Sequence, residues 1–214
     1  MKNLIIYGCG GLGRVIEQIV FDINQDNIRW NLLGFIDDNE NKHHTTIAGY
    51  PVLGSLENLD RKFDGFFVMG LASPRQRIKS VKTIISIGFK NFATLIHPST
   101  WISRRVRIGE GSIIYPGVHI DVDVTIGKHN IFNKLCTIGH DSRFEDFVTA
   151  APGVNFGGNI HVGQGCEFGI NSSTVQGISI GEWSTIGAGA AVVHDLPPRT
   201  TSVGTPAKPL KYQP

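Results

Sequence analysis

Charged residues make up 18% of the 214-residue chain, below the roughly 25% of an ordinary soluble domain, and the 26 glycines point toward repetitive β architecture. The formal charge of +2, with basic residues scattered along the chain, argues against a nucleic-acid footprint or a polybasic membrane patch. Three cysteines without metal-ligand spacing, an apolar start too short for a signal peptide and no stretch near the ~20 apolar residues of a membrane span lead to the expectation of a soluble cytoplasmic protein.

In chain order, Asn3 to Tyr7 reads as a buried strand, Gly8 to Gly13 as a glycine turn and Arg14 to Phe21 as an amphipathic helix. A second strand runs from Leu32 to Ile36 and stops at Asp37 and Asp38. Phe66 to Met69 reads as a third strand, Ser73 to Ile87 as a helix and Phe92 to Ile96 as a last strand. Strands alternating with helices predict a small α/β domain over residues 1–97, with a parallel sheet and Rossmann-like winding.

Gly8, Gly10 and Gly13 have the spacing G-x-G-x-x-G between a strand and a helix, where backbone N–H groups can face a phosphate. Alone the motif is weak. A dehydrogenase needs a full cofactor-binding unit and a catalytic domain, and this front segment is too short for both. Asp37 and Asp38, at a strand's C-terminal end near the turn, can bond the base or ribose of a sugar nucleotide, or can merely solvate a loop.

From Ile102 onward a period of six takes over: Ile108, Ile114, Ile120, Ile126, Phe132, Ile138, Phe144, Ala150, Phe156, Val162, Phe168, Thr174, Ile180, Ile186 and Val192. Only Thr174 in that series is not apolar. A second set four residues on, including Val118, Cys136, Val148, Cys166 and Ala190, is mostly small or β-branched. Inward residues of successive repeats lie two apart, as on a strand, and those within a repeat lie four apart, across a corner. Three flats per turn give an all-β, left-handed parallel β-helix over residues 98–196, a little over five coils, with a tail at 197–214. Cys136 and Cys166 fall inward and are expected as core fillers.

The front domain followed by an unbroken hexapeptide prism resembles the bacterial nucleotide-amino-sugar N-acetyltransferases and the related sialic acid O-acetyltransferases. The matching pieces are Tyr7 to Gly13, Asp37-Asp38, Gly70 to Arg75, Ile96-His97-Pro98, Ile138-Gly139-His140-Asp141, Phe168 to Ser172 and Gly204 to Lys208. Leu12, where members often have His, and Thr149, where some place a His near the cofactor, depart from the pattern. The resemblance implies a homotrimer with acetyl-coenzyme A in grooves between prisms and His140 as catalytic base. It implies cofactor contacts at Gly158, Ile170, Ala188, Thr149 and Lys208, and a role for Asn133 in placing the substrate or the base. Asn133 can equally bond its own backbone at a corner. Gly8, Gly10, Gly13, Asp37, Asp38 and Gly70 would meet a UDP- or dTDP-linked amino sugar, acetylated at a 4-amino group, and no metal is expected. O-acetylation of sialic acid or a related sugar is the alternative.

The residues support His140 independently. It lies two after inward Ile138, hence at an outward corner, with Asp141 beside it. Imidazole titrates near neutral pH, which suits taking a proton from an attacking amine or hydroxyl. One coil on, Gly158 occupies the same corner, and with coils stacked at about 4.8 Å its N–H can reach a thioester oxygen. Two rivals use the same prism. A zinc hydratase needs three histidines between subunits, and His119, His129 and His140 fall on different flats or corners. A non-catalytic trimerisation module leaves the His140, Asp141 and Gly158 grouping without a purpose.

Overall fold

A computed structural model describes residues 1–212 and divides the chain into two compact units, Met1–Pro98 and Ser99–Pro214. In the first, β1 (Lys2–Tyr7) is the middle of a three-stranded parallel sheet between β2 (Trp30–Ile36) and the later strand β5 (Phe66–Met69). Leu4, Ile5 and Ile6 on β1 have no exposure, as expected for a strand covered on both faces. Helix α1 (Gly11–Asp26) buries Gly13, Ile16, Ile19 and Val20, one helical stripe, and runs longer than the Arg14 to Phe21 core of its apolar pattern. Between β2 and β5 lies a small antiparallel hairpin, β3 (Thr46–Ile47) with β4 (Tyr50–Pro51). Helix α2 (Pro74–Ser86) follows β5 with proline in its first turn. The strand expected at Phe92 to Ile96 is shorter: Phe92 makes one bridge to Phe67, and only Leu95–Ile96 is extended beyond it.

The second unit is a parallel β-solenoid. Two-residue strands recur every six residues, and each pairs with the strand 18 residues away, as in Ile102 beside Ile120 beside Ile138. One face stacks six strands from Trp101–Ile102 to Ala191–Val192, and the next stacks five from Arg107–Ile108 to Ser179–Ile180. A third face rises from Ile113–Ile114 to Thr185–Ile186. Thr200–Val203 joins it in parallel, and Lys208–Tyr212 adds an antiparallel edge.

Inside, Phe132, Phe144, Phe156 and Phe168 meet edge to face, with successive centroids 5.1, 4.9 and 4.8 Å apart. Thr174 is satisfied where it sits, its hydroxyl accepting from Gly157 N–H at 3.0 Å. Cys136 and Cys166 are fully buried, and burial pushes both thiols up to about 12. They fill core.

From Gly111 to Gly189 each corner places one residue in the left-handed region. On one edge these are Asp123, Asp141, Asn159 and Gly177, at φ 60°, 58°, 53° and 74°. Asp, Asn and Gly tolerate that region best. The residue just before the corner is often glycine because the coils touch there: a Cβ on Gly139 would stand 2.5 Å from Gly158 N.

Candidate functional site

His140 and Asp141 follow the strand Thr137–Ile138 at the edge between the first and second faces. Asp141 N–H donates to Val122 O one coil back at 3.1 Å, and Asn159 N–H donates to His140 O one coil on at 2.6 Å. The backbone therefore fixes where the imidazole starts. Nδ1 lies 2.7 Å from Asp141 Oδ2, and both side chains are exposed. That bond selects the tautomer with hydrogen on Nδ1 and leaves the Nε2 lone pair free. Asp123 and Asn159 hold equivalent corner positions without a histidine before them, so the turn alone accounts for an acidic residue at 141. Its bond to His140 is an added feature.

Nε2 faces Gly158. A Cβ on Gly158 would stand 2.8 Å from Nε2 and 3.0 Å from Cε1, so any side chain there displaces the ring. Among the described residues, none accepts a hydrogen bond from Gly158 N–H. An imidazole with an open lone pair thus lies beside an unengaged backbone donor, a pairing that can accept a proton and hold an oxyanion.

The other expected residues of this unit lie elsewhere. Asn133, Ile170 and Ala188 occupy the edge between the third and first faces, a different edge from that of His140. Ile170 and Ala188 are one coil apart and exposed. Asn133 Oδ1 accepts from Lys134 N–H at 2.9 Å, the backbone-bonding arrangement. Thr149 is half-buried on the third face, and Lys208 is exposed opposite Val203. One chain brings together His140, Asp141 and Gly158, and separately Ile170 and Ala188. His119 stacks on Trp101 at 4.2 Å, and His129 is buried against Phe147, so neither joins His140. Among the described residues no group of three or more His, Cys, Asp or Glu is placed to hold a metal ion, and no helix is long and apolar enough to cross a membrane.

The first unit has its own cleft, about 950 Å³, at the C-terminal ends of β1 and β2. Open parallel sheets bind ligands at that end. Tyr7, Gly8, Asp37 and Asp38 line one side. Gly8 has φ 99°, and Gly13 and Gly70 press on it so closely that a Cβ on Gly70 would stand 2.6 Å from Gly8 O. Gly10 is open to its surroundings at the N-cap of α1.

The two acids differ. Asp37 Oδ2 accepts from Cys9 N–H at 3.0 Å, Cys9 Sγ at 3.1 Å and Lys42 Nζ at 3.1 Å, and Oδ1 accepts from Asn39 N–H at 3.0 Å. Burial alone would raise this carboxyl, but those hydrogen bonds hold it at about 2. Asp38 accepts from Tyr7 OH at 2.8 and 2.9 Å, and burial together with that bond pushes the phenol up. Asp37 braces the glycine turn, whereas Asp38 keeps acceptor capacity in the cleft. The opposite wall is a stripe of α2, with Gln76, Lys79, Ser80 and Thr83, which sequence reading missed. Its signal is the polar spacing of 76, 80 and 83, which looks the same as a solvated helix face.

The comparisons agree with both halves. Residues 3–84 match the family model described as the PglD N-terminal domain. Over most of its length the chain is similar to acyltransferases built on a hexapeptide-repeat β-helix. It is similar to the GDP-perosamine N-acetyltransferase of Escherichia coli O157:H7, with 28% identity over 93% of this chain and 81% of that one. Among solved structures it resembles the acetyltransferase domain of PglB from Neisseria gonorrhoeae, at TM-score 0.88 and 28% identity, covering 98% of this chain and 100% of that one. It also resembles PerB from Caulobacter crescentus in complex with CoA and GDP-perosamine, at TM-score 0.90 and 27% identity over 99% and 98% of the two chains. Other curated relatives match in part, and the chain spans 42% to 43% of their length.

Proposed function

We propose that this protein is an acetyl-coenzyme A-dependent N-acetyltransferase acting on the amino group of a nucleotide-linked amino sugar. The observation that carries the reading is His140, bonded to Asp141 through Nδ1, with Nε2 open beside Gly158. The sugar amine attacks the thioester carbonyl while Nε2 takes the amine proton. The oxyanion is held by Gly158 N–H; on its collapse the C–S bond breaks and the proton held on Nε2 passes to the sulfur, so coenzyme A leaves as the thiol. Asp141 orients the ring and stabilises its protonated form. Direct transfer fits because Cys136 and Cys166 are enclosed in the core and cannot carry an acyl group.

The His140 edge and the Ile170 and Ala188 edge belong to one groove only if two copies meet. A closed trimer sets one edge of each prism against a different edge of its neighbour, a head-to-tail contact that closes after three. In that assembly Ile170 and Ala188 of one subunit flank the pantetheine arm as it reaches His140 of the next. Lys208 meets a coenzyme A phosphate.

The cleft of the first unit takes the nucleotide, with Asp38 as the direct acceptor for base or ribose donors and Asp37 as the brace behind it. UDP and dTDP were the expected carriers. Two relatives that match over most of their length, and are named with a nucleotide sugar, carry GDP-perosamine, so GDP heads the candidates. The test is release of free coenzyme A from acetyl-coenzyme A against GDP-, UDP- and dTDP-linked 4-amino sugars and free sialic acid. Turnover of one nucleotide amino sugar is expected. Turnover of sialic acid alone, or of nothing in the panel, refutes the reading.

A further inference from the structure

One wall of the nucleotide cleft depends on a charged group that lies behind it. Arg77 is fully buried, at 0% exposure, just past the first turn of α2. A cation there is misplaced twice over. The N-terminal end of a helix favours negative charge, and burying a guanidinium costs hydration. A residue that breaks a local rule needs a compensating task.

The task is visible in its bonds. Arg77 Nη1 donates to Leu71 O and to Ala72 O, both at 2.8 Å. These carbonyls belong to the connection between β5 and α2. That connection is also fixed at its start, where Gly70 N–H donates to Tyr7 O at 2.7 Å. Leu71 lines the cleft, and a Cβ on Gly8 would stand 3.1 Å from its Cδ2. Gln76 and Ser80 turn toward the cleft, whereas Arg77 and Val81 are buried on the adjacent face of the helix.

We propose that Arg77 is a positioning residue for nucleotide-sugar recognition: it clamps the Leu71–Ala72 carbonyls from behind and holds Leu71 as the wall beside the Gly8 turn. This rests on the cleft being the nucleotide site, as read above. A planar guanidinium can bridge two carbonyls in fixed directions, and a lysine ammonium on a flexible stem cannot.

The experiment compares full-length Arg77→Lys, Arg77→Met and Leu71→Ala with wild type. It measures binding of GDP, UDP and dTDP by calorimetry, and KM and kcat with the nucleotide sugar that the wild type turns over. Both Arg77 variants are expected to raise the nucleotide-sugar KM and the nucleotide Kd by about tenfold to about 100-fold, with kcat and the acetyl-coenzyme A KM within about twofold. Leu71→Ala, which leaves the clamp intact and removes the wall, should show the same split and carries the test if the Arg77 variants do not fold. Wild-type binding in Arg77→Lys, or an unchanged nucleotide-sugar KM in folded Arg77→Met or in Leu71→Ala, overturns the clamp. A wild type that binds none of the three nucleotides overturns the cleft reading and the clamp with it.

Discussion

Around His140 the fixed contacts come from backbone one coil away, such as Asn159 N–H to His140 O and Val122 O to Asp141 N–H. Around Asp37 they come from the side chain of Lys42, five residues on, and from the Cys9 turn, 28 residues back. The two regions reach pre-organisation by different means. The prism edge inherits its geometry from a strand ladder repeated every 18 residues, so an outward side chain can be shortened there without moving the backbone that carries it. In the front cleft the ladder ends at the strand tips, where Gly8 N–H donates to Ile36 O and Gly70 N–H to Tyr7 O, and beyond them the walls lean on particular side-chain bonds. Variants at the prism edge should therefore separate catalysis from folding, and variants in the front unit should mix the two.

The largest effect tests the prism side. His140→Ala removes the proposed base but leaves the corner's backbone bonds, so kcat should fall by about 10²- to 10⁴-fold with an unchanged circular dichroism spectrum. Normal turnover would remove His140 from the mechanism, and loss of the fold would break the claim that backbone carries this edge. Gly158→Ala is the finer cut. Its Cβ would press on Nε2 from 2.8 Å, and a displacement on that scale should cost about 10²-fold in kcat. Stability should move little because the imidazole is exposed and can swing outward. Unaltered kcat would mean that the ring works from another position.

How far each region was legible in the sequence follows from the same difference. A hexapeptide period writes the prism into the chain, because every coil repeats the same inward and outward order. Ile138 inward fixes His140 outward by counting alone. Thr137, Ile138 and Gly139 gave the flat and the corner, and adding 18 gave Gly158. What counting does not give is which groups would face His140 in the proposed trimer, and it leaves Asn133 equally suited to substrate and to local backbone, where its Oδ1 accepts from Lys134 N–H. In the front unit the strands and the glycine turn were legible from apolar runs. The division of labour between Asp37 and Asp38 was not, since it is set by Cys9, Lys42 and Tyr7 reaching in from separate turns. Arg77 was invisible for a related reason: on a polar helix, nothing in the sequence marks one arginine as buried.

The front unit should respond to acid through Asp37. Its carboxyl sits at about 2 against an ordinary 3.8. Folding is therefore favoured by the ionised form above pH ~4, and that contribution is lost as pH falls toward ~2, on the order of 2 kcal/mol in all. Asp37→Asn should lower the stability of the front unit by a similar amount at neutral pH and flatten its slope between about pH 4 and 2, as read from urea midpoints across pH. It should also weaken nucleotide binding, since the braced turn forms the cleft. A variant with wild-type stability and a wild-type acid limb would show that Asp37's bonds are replaceable, and the contrast with the prism would lose its basis.

The smallest effect is expected at Thr174, the one inward residue in its series that is not apolar. Its hydroxyl accepts from Gly157 N–H at 3.0 Å, and the same N–H also donates to Thr174 O at 3.2 Å. Thr174→Val keeps the shape and the backbone bond, so the lost hydroxyl should cost at most about 1 kcal/mol, partly offset by the added apolar contact. Gly157 precedes the donor proposed for the oxyanion, which makes kcat the more telling readout. If the ladder alone sets the Gly157–Gly158 peptide, kcat stays within about twofold of wild type. A fall beyond about tenfold, with stability preserved, would mean that a side-chain bond also aims the Gly158 N–H, and the prism edge would then resemble the front cleft in depending on single polar contacts.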